Sequence, residues 1–143
     1  MNWKLVFLLS LFGLAMGFAT VFVIPSTVEP VFWLVIFIIC AFLVARYAGG
    51  QYFLHGLLIS IVNSIWITAV HVSLFYSYIA NHPEYMQMLQ QPGTPEALSG
   101  HPRRMMAITG PIIGVISGLV LGLFCWVASK FVKPAAEWVE PPA

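Results

Sequence analysis

Apolar residues run through this chain in four long blocks, at 5–24, 30–47, 51–79 and 105–132, separated by short polar links and one sizeable polar stretch at 80–104. Each block meets or exceeds the roughly 18–20 residues that an α-helix needs to cross a ~30 Å hydrocarbon core. The pattern predicts an all-α integral membrane protein with a single domain over 1–143. Its expected architecture is an antiparallel bundle of four transmembrane helices, with both termini on the same side and a tail at 133–143.

The blocks differ in how their small and polar positions are spaced. In the first, Ser10, Gly13, Gly17 and Thr20 follow one another at helical intervals and stack on one face. Met-Asn-Trp-Lys ahead of it resembles a signal peptide, and Ala15-Met16-Gly17 resembles a cleavage site. The apolar run is nevertheless long enough to span, so a retained helix is expected. Pro25 and Pro30 bracket the link to the second block, which is bulky nearly all round and reads as lipid-facing. Arg46, Tyr47 and Gly49-Gly50 end it.

The third block is the longest and most polar. His55, Ser60, Asn63, Ser64, His71 and Ser73 fall in one half of its helical wheel, and Leu54, Leu58, Ile61, Ile65 and Val72 in the other. A single helix over 51–79 would be about 42 Å long and would have to tilt or protrude. In the polar stretch, Pro83 can open a short interfacial helix over 83–91. Thr94-Pro95-Glu96 has the form of a second start, with Thr94 as cap.

The fourth block carries the firmest signal. Glycine recurs every fourth residue at Gly110, Gly114, Gly118 and Gly122, with Ser117 beside them. At about 100° per residue this forms a slanted groove against which another helix can lie closely. Ile112, Ile113, Ile116, Leu119, Val120 and Leu123 crowd the opposite side. Within the molecule the groove is expected to be filled by the first block, whose stripe (Ser10, Gly13, Gly17) matches it, or by the third, and a second subunit is the alternative. Pro111 predicts a kink near Thr109–Gly110, or a span that starts at Pro111 itself.

Composition supports this picture. The chain is 60% hydrophobic and 8% charged, more apolar surface than a soluble domain of 143 residues could bury. Lys4, Arg46, Lys130 and Lys133 fall at one end of the expected bundle, and Arg103 and Arg104 at the other. By the positive-inside rule the termini are cytoplasmic, in a bacterial inner (plasma) membrane. No basic stripe exists for nucleic acid. The two cysteines, Cys40 and Cys125, both lie inside apolar blocks and read as small packing residues.

Catalytic chemistry has little to stand on. No carboxylate lies inside a span: all five acidic residues are Glu in links or the tail. That removes the usual ion-coupled carrier and the usual acid–base pair. Haem held between two helices is not provided for, since His55 and His71 share one helix about 24 Å apart. Asn63 and His71 form the candidate polar site, because an unpaired polar group in hydrocarbon is costly. Ser60, Ser64 and Thr68 could join Asn63 in lining a path for a neutral solute. His82, His101, Met86 and Met88 offer the imidazole and thioether ligands that suit copper(I). The expected function is therefore non-enzymatic and without a cofactor. A structural or accessory subunit of a larger membrane complex, or a homo-oligomer, would work through helix packing in the lipid bilayer. A small transporter or copper-handling protein is the alternative.

Overall fold

A computed structural model describes residues 1–135; the tail readings at Glu137, Trp138 and Glu140 lie outside the described residues. The described chain is all-helical, with no strand. Its elements are α1 (Trp3–Phe22), α2 (Glu29–Tyr47), α3 (Tyr52–Ser73), α4 (Phe75–Asn81), α5 (Pro83–Leu89), α6 (Glu96–Ser99) and α7 (Pro102–Ala128). Four of them, α1, α2, α3 and α7, are long and apolar enough to cross a membrane.

Helix ends follow local chemistry. The Asn2 side chain caps α1 by accepting the Leu5 N–H at 3.1 Å. Pro25 then disfavours a helical conformation at Ile24, and the chain turns after Val23 and Ile24 both donate to the Ala19 carbonyl at 2.8 Å. Pro30 sits in the first turn of α2, where its missing N–H costs nothing. Gly49 and Gly50, with φ of 68° and 144°, make the turn into α3 in a region side chains rarely occupy.

Three expected boundaries move. The expected 51–79 helix is interrupted at Leu74 (φ −102°, ψ 32°), which leaves α3 with 22 residues. That is about 33 Å of helix, close to the hydrocarbon thickness, so the excess length is set aside in α4. The break also turns Tyr78 back so that its ring stacks on His71 at 4.2 Å, which a straight helix with a seven-residue separation would not allow. Pro111, by contrast, lies inside a continuous α7. In α6, Pro95 rather than Thr94 takes the cap position, and no side chain caps the helix.

α3 is the element on which the others are arranged: it packs along α7 and along α1, while α2 packs chiefly on α7. At one end the Asn2 N–H donates to His55 Nε2 at 2.9 Å, and the Ala135 N–H to the Arg46 carbonyl at 2.9 Å. Above this Asn2 end lies much of the hydrophobic core, with Val44, Cys40, Cys125 and Ile59 fully buried and Val6, Leu9 and Leu121 nearly so. At the other end, the loop end, α4 and α5 are tied down by side chains. The Asn81 amide donates to the Val21 carbonyl, and Tyr85 Oη to the Pro102 carbonyl at 3.1 Å. The Arg103 guanidinium lies 4.8 Å over the Tyr76 ring. The bulky side of α7 (Ile112, Ile113, Ile116, Leu119, Leu123) is exposed.

Candidate functional site

The site grows from the way α3 meets α7. Gly110 lies against Thr68, Gly114 against Ser64, Gly118 against Leu57 and Ser60, and Gly122 against the Phe53 carbonyl, so the two helices run antiparallel. α3 brings its own ladder to this contact: Gly56, Ser60, Ser64 and Thr68 also recur every fourth residue. Two small-residue stripes interlock, and their backbones approach closely enough for van der Waals contact along much of the pair. A Cβ at Gly56 would stand 2.7 Å from the Leu121 carbonyl oxygen. Ser60 and Ser117 share a hydrogen bond at 2.8 Å across the seam, and Ser117 also donates to the Ile113 carbonyl at 2.8 Å.

The first-block stripe meets α3 as well, on a neighbouring face. Gly13 lies against the Asn63 side chain, and Gly17 against Val70 and Ile67. Ser10 accepts the Trp66 indole N–H at 3.3 Å. Of the two helices expected to fill the α7 groove, α3 does so and α1 does not: α3 lies against both, with α1 on one face and α7 on the next.

Towards the loop end, α2, α3 and α7 together line a cavity of about 290 Å³. α3 supplies Ser60, Asn63, Ser64, Ile67 and Thr68; α7 supplies Gly110, Ile113, Gly114 and Ser117; α2 supplies Glu29, Trp33 and Phe37. Most of the wall is carbon, with a few polar atoms set into it, which is the usual make-up of a small-molecule site. Asn63 is 3% exposed, and its Oδ1 has no hydrogen-bond partner among the described residues. Glu29 Oε1 accepts the Trp33 indole N–H at 3.0 Å, which fixes both at the cavity's α2 side.

The other sequence candidates lie elsewhere. His71 is buried one face away, its Nε2 2.8 Å from Thr20 Oγ1. Because the Thr20 hydroxyl can donate to the Met16 carbonyl at 2.8 Å, His71 Nε2–H is the natural donor to Thr20. Asn63 and His71 are thus two separate sites. His82 is buried beneath Tyr78, with ring centroids 4.3 Å apart, and its Nδ1 lies 3.2 Å from the Tyr78 carbonyl. His101 is exposed at the cap of α7, and Met88 is half exposed beside Leu89, Met105 and Thr109, while Met86 is partly covered on α5. Among the described residues, no group of three or more His, Cys, Asp or Glu is placed to hold a metal ion.

Sequence reasoning found the polar members of the cavity but not Glu29, Trp33 and Phe37, because α2 read as lipid-facing. Gly56 was also missed, although its four-residue spacing from Ser60, Ser64 and Thr68 was there to be read. Comparison of the chain with family models, with curated proteins and with solved structures gave no match.

Proposed function

We propose that the chain is a non-enzymatic, multi-pass protein of a bacterial inner membrane that binds a small uncharged solute in the cavity beside α3, as a small carrier does. Its four apolar helices form an antiparallel bundle with cytoplasmic ends. Support for that orientation is the grouping of Lys4, Arg46, Lys130 and Lys133 at the Asn2 end, with Arg103 and Arg104 at the loop end.

The observation that carries the binding role is the cavity of about 290 Å³ itself, walled mostly by carbon with Ser60, Asn63, Ser64, Thr68 and Ser117 set into it. Thr68, Ser64 and Ser60 bring hydroxyl-bearing side chains to the same wall. No charged group lines the α3 and α7 walls, which favours an uncharged ligand there.

Thiol labelling tests this directly. In a Cys40→Ala, Cys125→Ala background, Ser64→Cys and Thr68→Cys are expected to react with a membrane-impermeant thiol reagent added on the loop side, and glycerol is expected to slow that reaction. Leu121→Cys, from the dense core, is the unreactive control. Ser64→Cys and Thr68→Cys as silent as Leu121→Cys would remove the solute site. A mass of more than one chain in mild detergent, together with that silence, would move the conclusion to an accessory subunit or homo-oligomer.

A further inference from the structure

One carboxylate stands in the wall of the cavity, although no acidic residue lies inside an apolar block of the sequence. Glu29 opens α2, and its half-buried side chain lines both the cavity and a neighbouring cleft. Its Oε1 accepts the Trp33 indole N–H at 3.0 Å, which leaves Oε2 for a ligand. Trp33 and Phe37 line the same two spaces. Their ring planes meet at 68° with centroids 6.3 Å apart, so they form a corner of aromatic wall beside the carboxylate.

No counter-charge lines either space: among the described residues, neither the cavity nor the cleft has a Lys, Arg or His in its wall. Arg103, at the same end of the molecule, is engaged by rings, with its guanidinium 5.2 Å over Phe75 and 4.8 Å over Tyr76. A second carboxylate, Glu84 on α5, deepens the negative field there. Burial pushes the Tyr78 hydroxyl on α4 up to about 12, and the carboxylates of Glu29 and Glu84 push in the same direction.

We infer that the α2 wall recognises the ammonium group of a small organic cation, so that the cavity takes amino alcohols as well as uncharged solutes. This rests on the reading of the cavity as a solute site and adds a charge-selective position to it. The ammonium meets Glu29 Oε2 and the rings of Trp33 and Phe37. The hydroxyl end lies along α3, where Ser64 and Thr68 line the wall. A carboxylate bordered by aromatic rings suits an ammonium because the ion pair and the ring quadrupoles attract the same charge. An anion would meet repulsion from Glu29, and a neutral alcohol gains nothing from the α2 wall. At about 290 Å³ the cavity lies just below the roughly 300–1,000 Å³ usual for ligand sites, which limits the cation to a few carbon atoms.

The probes are choline and its uncharged isostere 3,3-dimethylbutan-1-ol, which differ by nitrogen for carbon. With the full chain in a maltoside detergent, and Ser64→Cys in the background lacking the native cysteines, choline is expected to slow thiol labelling at about a tenfold lower concentration than the alcohol. Glu29→Gln keeps the size of the side chain and its acceptor for Trp33. It should bring choline to the level of the alcohol, while glycerol still protects and so reports an intact cavity. Trp33→Leu should weaken choline, and Trp33→Phe should restore part of the loss. Equilibrium binding of radiolabelled choline to the chain with its native cysteines gives a reading independent of labelling. It should be saturable in the wild type and fall about tenfold in affinity with Glu29→Gln. Choline and the alcohol acting at equal concentrations, or a choline advantage that survives Glu29→Gln, would overturn the inference. If glycerol still protects in that case, the failure touches only the cation and leaves the solute site standing. Ser64→Cys and Thr68→Cys silent to the reagent, with no saturable choline binding, would remove the solute site and the inference with it.

Discussion

A methyl group added at Gly110 and one added at Gly56 would meet different kinds of neighbour. At Gly110 the obstacle is the Thr68 side chain alone: its hydroxyl can rotate away, and its Cβ and methyl, at 3.1 and 3.2 Å, need give only slightly. At Gly56 it is the Leu121 carbonyl at 2.7 Å and the Gly122 Cα and N at 2.8 Å, all backbone of α7. Alanine gains up to about 1 kcal/mol of helix propensity at either position. Overpacking a seam that cannot yield costs about 1–3 kcal/mol. Gly110→Ala is therefore expected to melt within a few degrees of the wild type, and Gly56→Ala clearly below it. The fluorogenic labelling of the buried thiols Cys40 and Cys125 during a thermal ramp in detergent reads both. An equal loss at the two positions would mean that backbone contact does not set the seam. The period-four glycines of α7 were plain in the sequence because glycine has one obvious use in an apolar helix. The matching ladder at Gly56, Ser60, Ser64 and Thr68 was hidden by its chemistry. Hydroxyls read as polarity, yet in this seam their small size matters as much as their oxygen atoms.

The four long apolar helices were legible because hydrophobic length is a strong signal, and Pro25, Pro30 and Gly49-Gly50 marked their ends. The break at Leu74 was not. No proline or glycine stands there, and the stacking of Tyr78 on His71 that accompanies the break is made only in the folded chain. The short α5 was anticipated from Pro83, but what holds it was not: Ser26, in the α1–α2 link, donates a hydrogen bond to Glu84. That bond is the main reason the exposed Glu84 carboxyl sits below the usual carboxylate range, helped by a backbone hydrogen bond. A carboxyl depressed on folding contributes stability above its unfolded pKa, near 4.3 for Glu, and loses it as pH falls through the folded value. A spin label at Gln87→Cys, with Cys40 and Cys125 replaced, should therefore become more mobile as the pH drops from neutral to about 3. With Ser26→Ala, mobility should be high already at neutral pH and change little on acidification. A label whose mobility ignores pH in both proteins would show that the Ser26–Glu84 bond does not hold α5.

At the scale of the whole molecule, the sequence could not tell which helix fills the glycine groove, since a slanted row of small residues looks the same whatever lies in it. The contacts now divide the described chain into two pairs, α1 with α3 and α2 with α7, and the seam between α3 and α7 is the main junction of the two. This has a specific consequence. Ser60 and Ser117 lie 2.8 Å apart, oxygen to oxygen, on opposite sides of the seam. With the native cysteines replaced, Ser60→Cys and Ser117→Cys in one chain should form a disulfide readily under mild oxidation. The product should migrate as a single chain on a non-reducing gel. Adding Gly114→Leu and Gly118→Leu places branched side chains where Ser64 and the Leu57 backbone now lie, and neither rotation of Ser64 nor a shift of Leu57 Cδ1 can make that room. The intrachain disulfide should then fall to background while each helix pair keeps its helical content by circular dichroism. A seam that served to join two copies would behave differently. The cross-link would yield a species of twice the mass, and mixing chains that carry one cysteine each would produce it too. That result would return the groove to the surface of the molecule and make α3 of one copy the partner of α7 in another.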